Sequence, residues 1–423
     1  MYVDVVRTPG LFHLSYILMS GEEAAIVDPR RDIQVYLERI RELGANLTFV
    51  LETHRNEDIV SGGKQLEEAG IRVYHGGGRT YGERVHEGEV LKLGDVSVAV
   101  LSTPGHTPDS LSFLVKGEKP LVLFTGDLLL PGDTGRVDLI GDTEKNAEAM
   151  YESLQKLRGL PDSLIVYPAH TSGSPCGASI DEREITTLGL EREVNEWLSM
   201  DRDLFVERKL ELSLPIPPSF GRVRSLNEKG AGPPKPPIGV EPDDVEDAVD
   251  LRSPEAFSTA HVPKSLNVRE ELFPKYSPWF VEESMILVGE GPITQEIATH
   301  LSRTGLDPLY LEGGFPRWMQ EGREVASLPS VHPKKVPDNV TFLDVRSERE
   351  WKEERIPGSL NVPLTRLRDE AREIPEGNIV VYCSKGNAAS IAASLLRRMG
   401  RNHVYRLLGG LAGWKAAGRP TTS

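Results

Sequence analysis

Apolar and polar positions in the first half of the chain fall into short strand-like runs separated by helix-length stretches. Residues 3–7, 14–19 and 24–27 read as strands. Ile33, Tyr36, Leu37, Ile40 and Leu43 lie at helical spacing, and that helix stops before Gly44. A strand at 47–51 and a short helix at 62–69, closed by Gly70, come next. Residues 111–115 read as a return strand, 146–157 as a helix, and 180–200 as one or two more. Four of the apolar runs end alike. Residues 47–51 lead into Thr53-His54, 98–103 into Pro104-Gly105-His106, 121–125 into Gly126-Asp127, and 164–167 into Pro168-Ala169-His170. Each delivers a His or Asp at the carboxyl end of a strand, the edge where open α/β layers place their sites.

The order His54, His106, Asp127, His170 resembles the metallo-β-lactamase superfamily over about residues 1–210. In that family the first motif reads T-H-x-H-x-D-H and serves both halves of a two-zinc site. Here it reads Thr53-His54-Arg55-Asn56-Glu57-Asp58-Ile59, so each metal position loses one ligand. His54, His106 and Asp127 survive. Two His and one carboxylate with positions left open suit a single non-heme Fe(II) that activates O2. The persulfide dioxygenases of this superfamily use that triad. The resemblance implies one Fe(II) per chain on these three residues. It also implies that Asp58, His170 and Asn56 stand just outside the ligand set, where such groups orient ligands. Cys176, six residues after His170 in a Gly/Ser loop, is either a thiol near the metal mouth or a packed loop residue.

After residue 240 the chain repeats itself at a spacing of about 94–96 residues. Asp250-Leu251-Arg252-Ser253 recurs as Asp344-Val345-Arg346-Ser347. Pro263-Lys264-Ser265-Leu266-Asn267 recurs as Pro357-Gly358-Ser359-Leu360-Asn361. Gly313-Gly314 with Trp318 recurs as Gly409-Gly410 with Trp414. Each copy alternates short apolar runs with helices, the pattern of a small α/β domain. These motifs resemble rhodaneses, the sulfurtransferase fold. Only the second copy has a thiol, Cys383, followed by the tight loop Ser384, Lys385, Gly386, Asn387 and Ala388 and then a helix to residue 399. A Cys at the amino end of a helix, ringed by backbone N–H groups, is favoured as thiolate, and the same ring holds anions. Where the common C-x-x-G-x-R pattern has Arg, this chain has Ala388. The matching position in the first copy is near Gly289, so that copy reads as a structural or docking domain.

The expected organisation is therefore α/β throughout: an αββα metallo-β-lactamase sandwich at 1–212, a Pro/Gly-rich arm or linker at 213–240, and two small rhodanese-like domains. The first, at 241–326, is inactive, and the second, at 327–423, carries the catalytic Cys. Composition narrows the partners. With 49 basic and 64 acidic residues the net charge is −15, which disfavours nucleic acid and anionic membranes. Two Cys argue against a disulfide framework. No signal peptide or apolar run of ~20 residues is present, which predicts a cytoplasmic protein. A monomer and a homo-oligomer both stay open.

The whole order of domains resembles persulfide dioxygenase–sulfurtransferase fusions. That implies a low-molecular-weight thiol persulfide and O2 as substrates, with sulfite, thiol and thiosulfate as products. Sulfur can be drawn moving to or from sulfite through a Cys383 persulfide. One rival is a zinc thioesterase of the glyoxalase II type. The other is a non-catalytic sulfur-carrier or redox-sensing scaffold that uses only Cys383.

Overall fold

A computed structural model describes residues 1–423, the side chain of Pro120 excepted. The chain divides into two compact units, Met1–Pro234 with Ser302–Gly305, and Lys235–Leu301 with Leu306–Ser423.

The first unit holds two six-stranded mixed sheets. One joins its strands in chain order from Tyr2–Thr8 to Glu83–Arg84, the other from Val90–Leu93 to Thr186–Thr187. Each strand sends alternate residues to opposite faces. On His13–Ser20, Tyr16 and Leu18 enter the core shared by both sheets, where they meet Val98, Val100 and Phe113. Ile17 and Met19 face the other way, onto Tyr36 and Ile40 of the helix Gln34–Glu42. On the second sheet Leu114 and Leu123 lie under Ala147, Met150 and Leu154 of the helix Thr143–Gln155. Both sheets are thus covered on both faces, which explains apolar runs that do not alternate with polar residues. The result is the four-layer αββα sandwich.

Three local expectations need correction. The helix expected at 146 starts at Thr143, because Asp142 caps it by accepting from the N–H groups of Glu144 and Lys145. That polar first turn carries no apolar periodicity. Residues 180–185 form no helix, and Thr186–Thr187 pairs as an edge strand before the helices Leu188–Val194 and Glu196–Ser199. The stretch expected as an arm or linker contains the helix Ser219–Lys229. Its prolines cluster before the helix, and Gly230 ends it at φ 81°. The flanking composition hides the helix between.

The second unit contains two five-stranded parallel sheets with the same strand order. One runs Ile238–Val240, Leu309–Leu311, Ile286–Val288, Ala248–Asp250, Leu266–Asn267. The other runs Ser330–Val331, Val404–Leu407, Asn378–Tyr382, Val340–Asp344, Leu360–Asn361. The repeated motifs make the same bonds twice. Arg252 pairs with Asp250 at 2.6 Å and Arg346 with Asp344 at 2.5 Å. Asn267 and Asn361 each donate to two carbonyls of the neighbouring D-x-R turn. Trp318 and Trp414 each donate Nε1–H to a carbonyl six residues on, both at 2.8 Å. Among the described residues no helix is long and apolar enough to cross a membrane.

Candidate metal centre and thiol site

The strand Asn46–Leu51 ends in a turn that Asp28 holds. Asp28 accepts from the Thr53 backbone N–H and from the Thr53 hydroxyl, both at 2.7 Å. The hydroxyl proton is thereby committed, so Thr53 Oγ1 accepts from His54 Nδ1–H at 2.9 Å. His106 Nδ1–H donates to the Arg136 carbonyl at 2.8 Å. Both imidazoles are left presenting the Nε2 lone pair. His54 Nε2 and His106 Nε2 are buried and have no hydrogen-bond partner among the described residues. They lie 3.7 and 3.3 Å from Asp127 Oδ2. Burial lowers both imidazoles, His54 to about 4, so they are neutral. Burial alone would raise the Asp127 carboxyl, but the His170 and His106 imidazoles hold it well below the usual carboxylate range. Two neutral imidazoles and one carboxylate, with orphaned lone pairs converging, form a donor set that fits a metal ion.

His170 stands beside this set. Its Nδ1 bonds both oxygens of Asp127, at 2.7 and 2.9 Å, and its Nε2 bonds Asp58 at 2.8 Å. Burial would lower this imidazole, yet the two carboxylates raise it well above its ordinary value. It is therefore an imidazolium with neither nitrogen free. Asp58, His170 and Cys176 form a second buried cluster. Cys176 is 1% exposed, and burial, reinforced by Asp127 and Asp58, pushes its thiol well up. In iodoacetamide at neutral pH, Cys383 should accordingly be alkylated before Cys176. Peptide mass spectrometry over time measures this, and faster loss of the Cys176 thiol would contradict it.

Several residues at this site carry no motif. His13 is buried against His170, ring centroids 5.5 Å apart, and neither of its nitrogens has a partner among the described residues. Burial and the His170 charge lower it to about 3. Arg79 donates to the His54 carbonyl at 2.5 Å and pairs with Asp109 at 2.9 Å. Arg136, fully buried, ties Asp138 to the carbonyls of Pro175, Leu214 and Pro215 while its backbone N–H reaches the Cys176 carbonyl. Asn227 accepts from the Ser61 N–H and donates to the carbonyls of Asn56 and Ile59, each at 2.8 Å. The helix in the supposed linker thus laces the His54–Asp58 loop. The Asn56 side-chain oxygen is buried and has no hydrogen-bond partner among the described residues.

The thiol site follows the strand Asn378–Tyr382. Cys383 is 5% exposed, and the Gly386 N–H points at its sulfur at 3.1 Å. Gly386 takes φ 95° and opens the helix Asn387–Arg398. The repeated Gly-Gly pair explains itself here. Gly410 has φ 57°, and a Cβ there would come 2.2 Å from the Cys383 carbonyl oxygen. Leu411 N–H bonds that carbonyl at 2.8 Å. In the first copy a Cβ on Gly314 would meet the Gly289 carbonyl oxygen at 2.6 Å, and Phe315 N–H bonds it at 2.8 Å. Gly289 therefore occupies the place of Cys383. Ser384 and Lys385 are exposed, Asn387 and Ala388 half-buried, and all four line a cavity of about 450 Å³ in front of the thiol.

Residues 240–321 and 332–417 match the family model of the rhodanese-like domain, and residues 72–170 match that of the metallo-beta-lactamase superfamily. The chain is similar to the Bos taurus protein named persulfide dioxygenase ETHE1, mitochondrial, with 28% identity over 215 residues, 48% of this chain and 78% of the relative. It is also similar to the hydroxyacylglutathione hydrolase of Nostoc punctiforme, 34% identical over 181 residues, 40% of this chain and 68% of the relative. Among solved structures, the metallo-beta-lactamase from Staphylococcus aureus subsp. aureus COL superposes with a TM-score of 0.67 at 25% identity, covering 74% of this chain and 99% of that one.

Proposed function

Because the chain belongs to the metallo-β-lactamase superfamily and carries two rhodanese-like domains, we propose that it is a persulfide dioxygenase coupled to a sulfurtransferase. One Fe(II) per chain would sit on His54 Nε2, His106 Nε2 and Asp127. The observation that carries this reading is the contrast between those two orphaned nitrogens and His170, whose nitrogens are both spent on carboxylates. The donors present serve one ion better than two. Iron, when bound, supplies a centre where a persulfide sulfur and O2 meet and sulfite is made. The protein's own part is to fix that centre. Asp28 through Thr53, and the Arg136 carbonyl, hold each imidazole in one tautomer and orientation. Asp58 helps to hold His170 protonated, and His170 in turn favours the ionised form of Asp127.

At the second site the Cys383 thiolate attacks the outer sulfur of a persulfide. The S–S bond breaks, its electron pair leaves on the carrier thiolate, and a Cys383 persulfide remains. Sulfite then takes that sulfur to give thiosulfate and restores the thiolate. The reverse order uses the same bonds, with thiosulfate as donor.

The higher identity to a hydroxyacylglutathione hydrolase, 34% against 28%, favours the zinc thioesterase as a second reading. Anaerobic purification with metal counting separates the two. Iron near one per chain and oxygen uptake with glutathione persulfide support the dioxygenase. Zinc near two and hydrolysis of a glutathione thioester without oxygen uptake replace it. Asn56→Ala tests the ligand set further. Asn56 stands outside the proposed donors, so the variant should keep most of its iron; stoichiometric loss of metal with unchanged circular dichroism would show that the set is wrong.

A further inference from the structure

The cavity in front of Cys383 is walled by both repeats. On one side stand Arg346, Glu350 and the 363–365 turn of the thiol-bearing copy. On the other stand Leu272, Lys275 and Tyr276, which belong to the copy without a thiol. They lie on or next to the helix Phe273–Phe280. That helix buries Phe273, Ser277 and Phe280, and Ser277 is bonded to His300 of its own copy at 2.8 Å. One apolar cluster runs continuously from Phe273 and Phe280 to Leu364, Ile379 and Ala389, joining the two copies. Polar bonds join them as well. The Asn267 side-chain oxygen accepts from the Ser390 hydroxyl at 2.5 Å and its backbone N–H donates to Ser394 Oγ at 3.0 Å, both serines lying on the helix after the thiol loop. Arg269 reaches the Asn387 side-chain oxygen at 3.4 Å.

The chemistry of the opposite wall is specific. Lys275 is exposed, and its ammonium lies 5.5 Å from the Tyr276 ring centroid. Burial, with the charges of Cys383 and Glu350, pushes the Tyr276 phenol up to about 12, so it remains a hydrogen-bond donor beside the thiol. Lys275 and Lys385 are the lysines of the lining, against the single carboxylate of Glu350. A volume of about 450 Å³ falls among ordinary small-molecule pockets, roughly 300–1,000 Å³. A sulfite or thiosulfate ion is small beside a cavity of this volume. The cavity lining also includes the apolar Leu272, Pro363 and Leu364 and the Tyr276 ring, with Lys275 and Lys385.

We propose that the thiol-less repeat supplies the specificity wall of the Cys383 site, where Lys275 and the Tyr276 hydroxyl select a low-molecular-weight organic persulfide bearing an anionic group as the sulfur donor, in preference to an inorganic sulfur oxyanion. The inference rests on Cys383 being the transfer thiol. The step is thiolate attack on the outer sulfur of R–S–SH: the new Cys383–S bond forms, the carrier S–S bond breaks, RS⁻ departs, and no net oxidation occurs.

The test uses the full-length protein and two donors, glutathione persulfide and thiosulfate, with sulfur loading of Cys383 read by mass spectrometry in single-turnover mixing. Lys275→Ala should raise the half-saturating concentration of glutathione persulfide about tenfold, the worth of one charge-assisted hydrogen bond of ~1.4 kcal/mol, and move that of thiosulfate less than about twofold. Lys275→Arg should restore most of the difference. Tyr276→Phe should slow loading from glutathione persulfide and leave loading from thiosulfate alone. Equal losses with both donors, or no loss with either, would overturn the proposal. Cys383→Ser keeps the two levels apart: if sulfur transfer to sulfite survives in that variant, the assignment of Cys383 fails, whereas a donor-blind Lys275→Ala with Cys383 still essential defeats the specificity wall alone.

Discussion

If the proposed iron centre is right, His106→Ala and Asp127→Ala should each yield a protein that binds no iron and takes up no oxygen with glutathione persulfide, while Cys383→Ser should retain both. The expectation follows from how little redundancy the centre has. His106 Nε2 is one of the two orphaned imidazole nitrogens that lie near Asp127 Oδ2, and its Nδ1 is fixed by the Arg136 carbonyl. Removing an outer partner of a metal ligand already costs roughly 10–100-fold in affinity, and removing a ligand from a three-donor set exceeds that. His106→Ala is the cleaner of the two variants. Asp127→Ala also takes one carboxylate from the buried His170 imidazolium, which is destabilising in its own right. Metal analysis, oxygen electrode traces and circular dichroism read the three quantities. Normal oxygen uptake by an iron-free His106→Ala protein would end the iron reading.

The second large effect is a change of product. With persulfide and O2, Cys383→Ser should release sulfite with little thiosulfate, and the parent should release thiosulfate at the expense of sulfite. The first repeat offers no substitute, because Gly289 stands where Cys383 does. Cys176 is no substitute either, since burial and two carboxylates hold it as a thiol. Ion chromatography of sulfite and thiosulfate measures the split. Sulfite and persulfide also react slowly in solution, so the enzyme-free rate is subtracted. Unchanged enzyme-dependent thiosulfate in Cys383→Ser would reduce the C-terminal half to a scaffold.

What was legible in the chain had local causes. Each of His54, His106, Asp127 and His170 follows its strand within a few residues, so strand pattern and side chain can be read together. The repeat was legible because its motifs act close to home: Asp344 with Arg346, Asn361 with the turn beside it, Trp414 with the carbonyl of Pro420. The residues that escaped notice act at a distance. His13 meets His170 only through a bridge between remote segments, and Asn227 sits in a helix hidden among prolines. Arg136 joins three separate loops. Tyr276 and Lys275 belong to a domain whose lost thiol suggested a merely structural role, yet it provides a wall of the other copy's cavity.

The imidazolium between Asp58 and Asp127 also bears on how the protein is made. A nascent chain has to enclose two carboxylates in a dry interior, which on their own would resist burial. Flanked by a positive ring, they are enclosed as two negative charges and one positive, each with hydrogen bonds. Small zinc modules fold only when their ion arrives. Here a counter-charge is encoded in the polypeptide, so metal-free protein should keep its native circular dichroism, and loss of that signal on metal removal would contradict this.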